Sequence, residues 1–203
     1  MTNNNPFALA ITGASGAPYA VRLLQELIRR GERVDVMISA PGQIVLGMET
    51  GLNLPGRSAE IQRALTAHCG AAEDQLRVFG RQEWTAPLAS GSSAPRAMVV
   101  CPCTMGTLAS IAAGTSSNLI ERAADVTIKE GRKLVLVPRE TPFSVIHLEN
   151  MLKLARLGVV MLPPNPGFYR GPSSIDDLVA FVVARILDQL GVENDLVPRW
   201  GED

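Results

Sequence analysis

The 203-residue sequence predicts an α/β protein: a three-layer, doubly wound, Rossmann-like sheet whose strands are mostly parallel. Three observations predict it. Short, continuous apolar runs such as FALAIT, AMVV and KLVLV alternate along the chain with segments of helical apolar period. These runs are apolar at consecutive positions, as strands covered by helices on both faces must be. The turns leading from them into the next helix are rich in glycine and hydroxyl residues.

Phe7 to Thr12 reads as the first buried strand, and Pro18 to Arg30 as a helix with Val21, Leu24, Leu27 and Ile28 on one face. Gly31 stops that helix. Arg33 to Ala40 alternates like a second strand, and Gln43 to Glu49 reads as a short helix after a Pro41-Gly42 breaker. Pro55-Gly56 marks a loop, followed by a helix over Ala59 to His68 and a third strand over Leu76 to Phe79. Thr85 to Arg96 is the most loop-like stretch and is expected to be mobile. From there the alternation sharpens: strand Ala97 to Val100, helices Thr104 to Ala113 and Leu119 to Glu130, strand Lys133 to Val137, helix Val145 to Leu157, strand Val159 to Leu162. A Pro/Gly-rich loop then leads into a long helix, Ile175 to Leu190.

With 46% hydrophobic residues the chain buries a substantial core, expected to be one domain over residues 1–203 with a tail from about residue 191. The net charge of -1 argues against a broad surface for nucleic acid or an anionic membrane. The N-terminal MTNNNPFALAIT has no basic segment and is far shorter than the roughly 18 apolar residues of a spanning helix, so a soluble, cytoplasmic protein is expected. Three cysteines, an odd number, make no disulfide framework.

In an open parallel sheet, ligands bind beyond the C-terminal strand ends. The loops placed there are Gly13 to Pro18, Ser39 to Gly42, Cys101 to Thr107, Arg139 to Pro142 and Pro163 to Pro172. ITGASGAP has Gly13 and Gly16 but lacks the three-glycine dinucleotide spacing; it is either a tight turn capped by Ser15 or an anion cradle at a helix start. CTMGT repeats the arrangement, with Thr104 and Thr107 beside free amides, and two such loops in one sheet favour a cradle. Cys101 and Cys103 lack the further ligands that zinc needs, with His68, Cys69 and His147 scattered along the chain, so no metal site is expected. A Cys-x-x-Cys redox pair is absent as well, which leaves the thiols as buried packing residues.

Charged residues mark further candidates. Arg122 and Lys129 share one helix face, either as a solvated stripe or as an anion site. Arg185 interrupts an apolar stripe in IDDLVAFVVARIL, and a buried guanidinium there needs a carboxylate or a bound phosphate. Glu140 at a strand end and Glu49 at the end of a short helix are surface carboxylates or site acids. Tyr169, Trp84 and Trp200 offer aromatic faces that serve packing or a ligand equally well.

ITGASGAPYAVRLL, the run VVCPCTMGTLASIAAGTSSNLIERAADVTIKEGRKLVLVPRETPFS, HLENMLKLARLGVVMLPPNPGFY and the Arg-bearing last helix together resemble the flavin prenyltransferases of the UbiX type over nearly the whole chain. That family belongs to a wider flavoprotein group that includes phosphopantothenoylcysteine decarboxylases, which carry a Pro-x-Met-Asn-type signature where this chain has PRETPF. The resemblance implies a flavoprotein-type fold and an enzyme that joins the dimethylallyl group of dimethylallyl monophosphate to N5 and C6 of reduced FMN, without a metal. It implies that the product, prenylated FMN, passes to a UbiD-type decarboxylase, and that the chain forms a homo-oligomer, a dodecamer, with the ligand at subunit junctions.

By the same resemblance, Gly13, Ala14, Ser15, Ser39, Thr104, Met105, Gly106, Thr107 and Arg139 cradle the flavin. Arg122, Lys129, Arg139, Glu140, Tyr169, Arg185 and Trp200 bind the dimethylallyl phosphate. In chemical terms the basic cluster and Glu140 stabilise or protonate the departing phosphate, Trp84 supplies a π face for allyl-cation character, and Glu49 with Ser15 handles protons. Two rival readings are an FMN-dependent decarboxylase acting on a C-terminal cysteine and a flavin-storing protein without turnover.

Overall fold

The computed structural model describes residues 5–169, 171–199 and 201. The chain runs β1 (Phe7–Ile11), α1 (Ala17–Arg29), β2 (Val34–Ile38), α2 (Ala40–Thr50), α3 (Ser58–Cys69) and β3 (Leu76–Phe79). It continues through β4 (Ala97–Cys103), α4 (Met105–Ala113), α5 (Leu119–Lys129), β5 (Lys133–Pro138), α6 (Val145–Arg156), β6 (Val160–Met161) and α7 (Ile175–Leu190). The six strands form one parallel sheet in the order β3-β2-β1-β4-β5-β6. Winding reverses between β1 and β4, where Ala8, Leu9 and Ala10 sit opposite Met98, Val99 and Val100. That reversal opens a crevice at the C-terminal strand ends.

Side-chain alternation sends the strands into two cores. Phe7, Leu9, Ile11, Val36, Val99 and Val135 pack on one face with Leu23, Leu24 and Leu27 of α1 and Val183 and Leu187 of α7. Ala8, Ala10, Met98, Val100, Leu134 and Leu136 pack on the other with α4, α5 and Leu154 of α6. In β4 the pairing register shifts between Val100 and Cys103, so the parity slips by one residue. Cys101 therefore lies in the first core and Cys103 in the second, both fully buried.

Three local expectations are corrected. Pro41 and Gly42 do not break α2; they form its first turn, with Ser39 accepting the Gly42 amide at 3.0 Å and proline occupying a position that needs no donor. The strand predicted to end at Val100 runs on to Cys103. The stretch from Thr85 to Arg96, read as irregular loop, contains two 3-10 turns, Pro87–Ala89 and Gly91–Ser93, with Ala86, Leu88 and Ala94 buried. The helices also dock unequally. α5 buries seven residues, whereas α6, one residue longer, buries Leu154 alone and leaves Val145, Ile146, Leu148 and Leu152 exposed.

Candidate active site

The crevice between β1 and β4 is built on Thr12. This buried side chain donates to the Pro102 carbonyl at 2.7 Å and accepts the Thr104 amide at 2.9 Å, locking the two strand exits together. Above it lies a cleft of about 370 Å³ lined by Gly13, Ser39, Pro41, Thr104, Gly106 and Thr107, and by Arg81, Ser110, Asn118 and Glu121. Its volume falls in the range of small-molecule sites. Gly13 is needed because a Cβ there would sit 2.3 Å from the Pro41 Cβ. At Gly106 a Cβ would meet nothing within 4 Å, so the first turn of α4 faces open space. Thr104 caps that helix, accepting the Thr107 amide at 3.2 Å and donating its hydroxyl to Thr107 at 3.0 Å.

The loop after β1 holds a different arrangement. Glu49, arriving from the last turn of α2, accepts the Gly16 and Ala17 amides at 2.8 Å each and bonds the Ser15 side chain. Burial pushes the Glu49 carboxyl up, but the Ser15 hydroxyl, the two amides and the charge of Arg139 outweigh it and hold the group below the ordinary glutamate range. The anion position at the start of α1 is thus filled by the protein's own carboxylate. Ser15, Glu49 and Arg139 belong to one electrostatic unit. Ala14 is buried beside them.

Arg139 and Glu140 leave β5 next to this unit, the Arg139 amide donating to the Cys103 carbonyl at 3.3 Å. They line a second cavity of about 300 Å³ with Thr141, Phe143 and Asn165. Tyr169 and Arg185 line a third, of about 200 Å³, with Phe181, Asp188 and Arg199. There Tyr169 meets Phe181 edge-on at 6.1 Å, and Arg185 pairs with Asp188 at 2.7 Å. The expectation of a buried Arg185 is corrected: its side chain is 55% exposed, because the core face of α7 is carried by Val179, Val182, Val183, Ile186 and Leu187.

Arg122 and Lys129 do share a face of α5, and that face meets the two 3-10 turns. Arg122 donates to the Ala89 carbonyl at 3.0 Å and pairs with Asp125 at 2.8 Å; Lys129 pairs with Glu130 against Gly91. Within one protomer, the residues expected to bind the phosphate therefore occupy three separate places. Trp84 is half exposed in the turn after β3, and Trp200 lies outside the described residues.

Burial pushes the Cys103 thiol up to about 12, and burial followed by its neighbour Cys103 raises Cys101 further still. Among the described residues no group of three or more His, Cys, Asp or Glu side chains is placed to hold a metal ion, and no helix is long and apolar enough to cross a membrane. Sequence reading missed Thr12, Arg81, Asn118 and Glu121. The last two had a legible signal, since Asn-x-x-Glu before an apolar run marks a helix start, and Asn118 does cap α5 by accepting the Glu121 amide at 3.1 Å.

A family model described as Flavoprotein matches residues 1–187. The flavin prenyltransferase UbiX of Pseudomonas aeruginosa is 57% identical over 202 residues, spanning 100% of this chain and 97% of that protein. Among solved structures, the dodecameric FMN-dependent UbiX-like decarboxylase from Escherichia coli O157:H7 is 43% identical with a TM-score of 0.84, covering 96% of this chain and 98% of that one. AnUbiX, solved in complex with FMN and dimethylallyl pyrophosphate, is 36% identical with a TM-score of 0.85 and covers 97% of both chains.

Proposed function

From the premise that this chain belongs to the flavoprotein family and, within it, to the flavin prenyltransferases of the UbiX type, we propose that it transfers the dimethylallyl group of dimethylallyl monophosphate to reduced FMN. Bonds form at flavin N5 and C6, inorganic phosphate leaves, and the prenylated FMN serves a UbiD-type decarboxylase. The observation that carries the reading is the open crevice walled by Gly13, Ser39, Thr104, Gly106 and Thr107 in a chain alignable to flavin prenyltransferases over its whole length.

Gly13, Ser39, Thr104, Gly106 and Thr107, which line the cleft, would hold the flavin, with Ala14, Ser15 and Met105 beside them, Met105 being buried in the second core. Glu49, kept ionised and bonded to Ser15, would take the proton that N5 gives up on alkylation, return it to the dimethylallyl double bond, and take the one that C6 loses as the second bond closes, a net release of one proton. Arg139 faces Glu49 on one side and lines a cavity with Glu140, which is assigned the protonation of the departing phosphate. Arg122, Lys129, Tyr169, Arg185 and Trp200 bind the phosphate monoester, assigning to cations the charge that other prenyltransferases give to a metal. Trp84 faces the developing allyl cation.

These groups act together only if copies of the chain meet. A homo-oligomer with ligand at its junctions, a dodecamer like the Escherichia coli relative, brings the separated basic residues to one site. The apolar face that α6 leaves uncovered supports such an assembly.

Purified protein is incubated anaerobically with reduced FMN and dimethylallyl monophosphate, and the extracted flavin is weighed by mass spectrometry. A gain of one C5H8 unit is expected. Unaltered bound flavin points to storage instead, and loss of carbon dioxide from a peptidyl C-terminal cysteine points to a decarboxylase.

A further inference from the structure

We propose that Asp188 is a positioning residue for Arg185, holding its guanidinium in the third cavity so that dimethylallyl monophosphate meets it already ordered, a role that rests on the reading of Arg185 as a phosphate ligand. Arg185 is more than half exposed on α7, and a long side chain so placed samples many rotamers that a bound phosphate has to exclude. Asp188, one turn further along α7, restricts that freedom by accepting Arg185 Nη1 on its Oδ2 at 2.7 Å. An ion pair on a helix surface ordinarily contributes little, and the contact between Arg22 and Asp176 is the ordinary case: the acid is 75% exposed and lies 3.4 Å away. Asp188 differs. Its side chain is 21% exposed, and its other oxygen, Oδ1, accepts the Asn194 side-chain amide at 3.1 Å and Arg199 Nη2 at 3.5 Å. The carboxylate is therefore held both by its own helix and by the segment that follows it.

Arg185 gives only Nη1 to this pair. Among the described residues its Nε and Nη2 bond no protein group, and those two donors form a fork suited to two oxygens of a phosphate monoester. The opposite side of the cavity is set from behind as well. Tyr169 stands edge-on to Phe181 at 6.1 Å, and a Cβ at Gly167 would fall 2.7 Å from the Tyr169 ring, so that ring has a defined seat. Asp188 also puts a negative charge near an incoming dianion, which by itself opposes binding. It is matched by two guanidinium groups, however, so the cluster of Arg185, Asp188 and Arg199 keeps a positive charge and order outweighs repulsion. Removing the carboxylate separates the two effects: lost order weakens the substrate, and lost repulsion tightens it.

Prenyl transfer is measured on the full-length protein at saturating reduced FMN with dimethylallyl monophosphate varied, for wild type, Asp188→Ala, Asp188→Glu, Arg185→Ala and the Arg185→Ala, Asp188→Ala double variant. Asp188→Ala is expected to raise KM for dimethylallyl monophosphate about tenfold, the scale of ordering one long side chain. Because that ordering is needed equally in the ground state and the transition state, kcat is expected to hold. FMN affinity and melting temperature are expected to stay at wild-type values, and Asp188→Glu to recover part of the loss. With Arg185 already removed, Asp188→Ala is expected to add nothing. An unchanged or lowered KM in Asp188→Ala, an equal loss in both backgrounds, or a parallel fall in flavin affinity and melting temperature overturns the positioning role. Wild-type KM in Arg185→Ala overturns the reading of Arg185 as a phosphate ligand, and wild type without transfer overturns the proposed function; either takes this inference with it.

Discussion

The Thr12 hydroxyl joins the two halves of the sheet by accepting the Thr104 amide at 2.9 Å while donating to the carbonyl two residues earlier, at 2.7 Å. It thereby sets the distance between the two ligand loops from beneath. Thr12→Val keeps the shape and removes both bonds, leaving a buried amide without an acceptor. A stability loss of about 1–3 kcal/mol is expected in urea denaturation, with Thr12→Ser closer to wild type. Flavin affinity should fall in step.

Gly13 and Gly106 give opposite outcomes on substitution. Gly13→Ala drives a Cβ to 2.3 Å from Pro41 and is expected to destabilise by about 1–3 kcal/mol. At Gly106 a Cβ meets nothing within 4 Å, and Gly106→Leu gains about 0.5–1 kcal/mol of helix propensity, so it is expected to melt no lower than wild type. Its side chain fills the cleft, and FMN binding is expected to be lost. Calorimetry and flavin titration on the two variants separate fold from site.

Glu49 couples stability to acid. Its folded pKa is depressed, so its contribution is complete above the ordinary glutamate value near 4.5 and is lost as pH falls through the lower folded value. Glu49→Gln is expected to flatten that limb of the stability-versus-pH curve and to slow product formation at neutral pH, with FMN affinity retained.

Lys129 pairs on the surface with Glu130, so Lys129→Ala is expected to fold normally. Under single-turnover conditions it is expected to slow prenyl transfer by about a hundredfold, the usual cost of one stabilising charge at a leaving group. Unchanged product formation in this variant removes Lys129 from the mechanism.

Much of the scaffold was legible because local chemistry announces it. The limits of α7 follow from Ser174, whose hydroxyl accepts the Asp177 amide, and from Gly191 in the left-handed region. β3 falls where its apolar run predicts. The start of α2 was misjudged because Pro41 and Gly42 break helices in general but not in a first turn capped by Ser39. Arg185 reads as a core position because the run IDDLVAFVVARIL around it is apolar, whereas the buried face of the helix is carried by Val179, Val182, Val183, Ile186 and Leu187. The tie from Glu49 to Gly16 and Ala17 crosses between elements, and the rim position of Arg81 depends on how the turn after β3 packs against α5. No local pattern encodes either.

The slip in β4 near Pro102 sets two sulfurs back to back behind a wall of backbone, each too well sealed to ionise at neutral pH. Cys101 and Cys103 sit in the two opposite cores of the sheet, so an oxidant finds no pair of thiols on one face of that strand to close. Air is therefore expected to discharge the electrons stored in the bound ring while leaving Cys101 and Cys103 as free thiols, so that neither needs repair before fresh reductant is added.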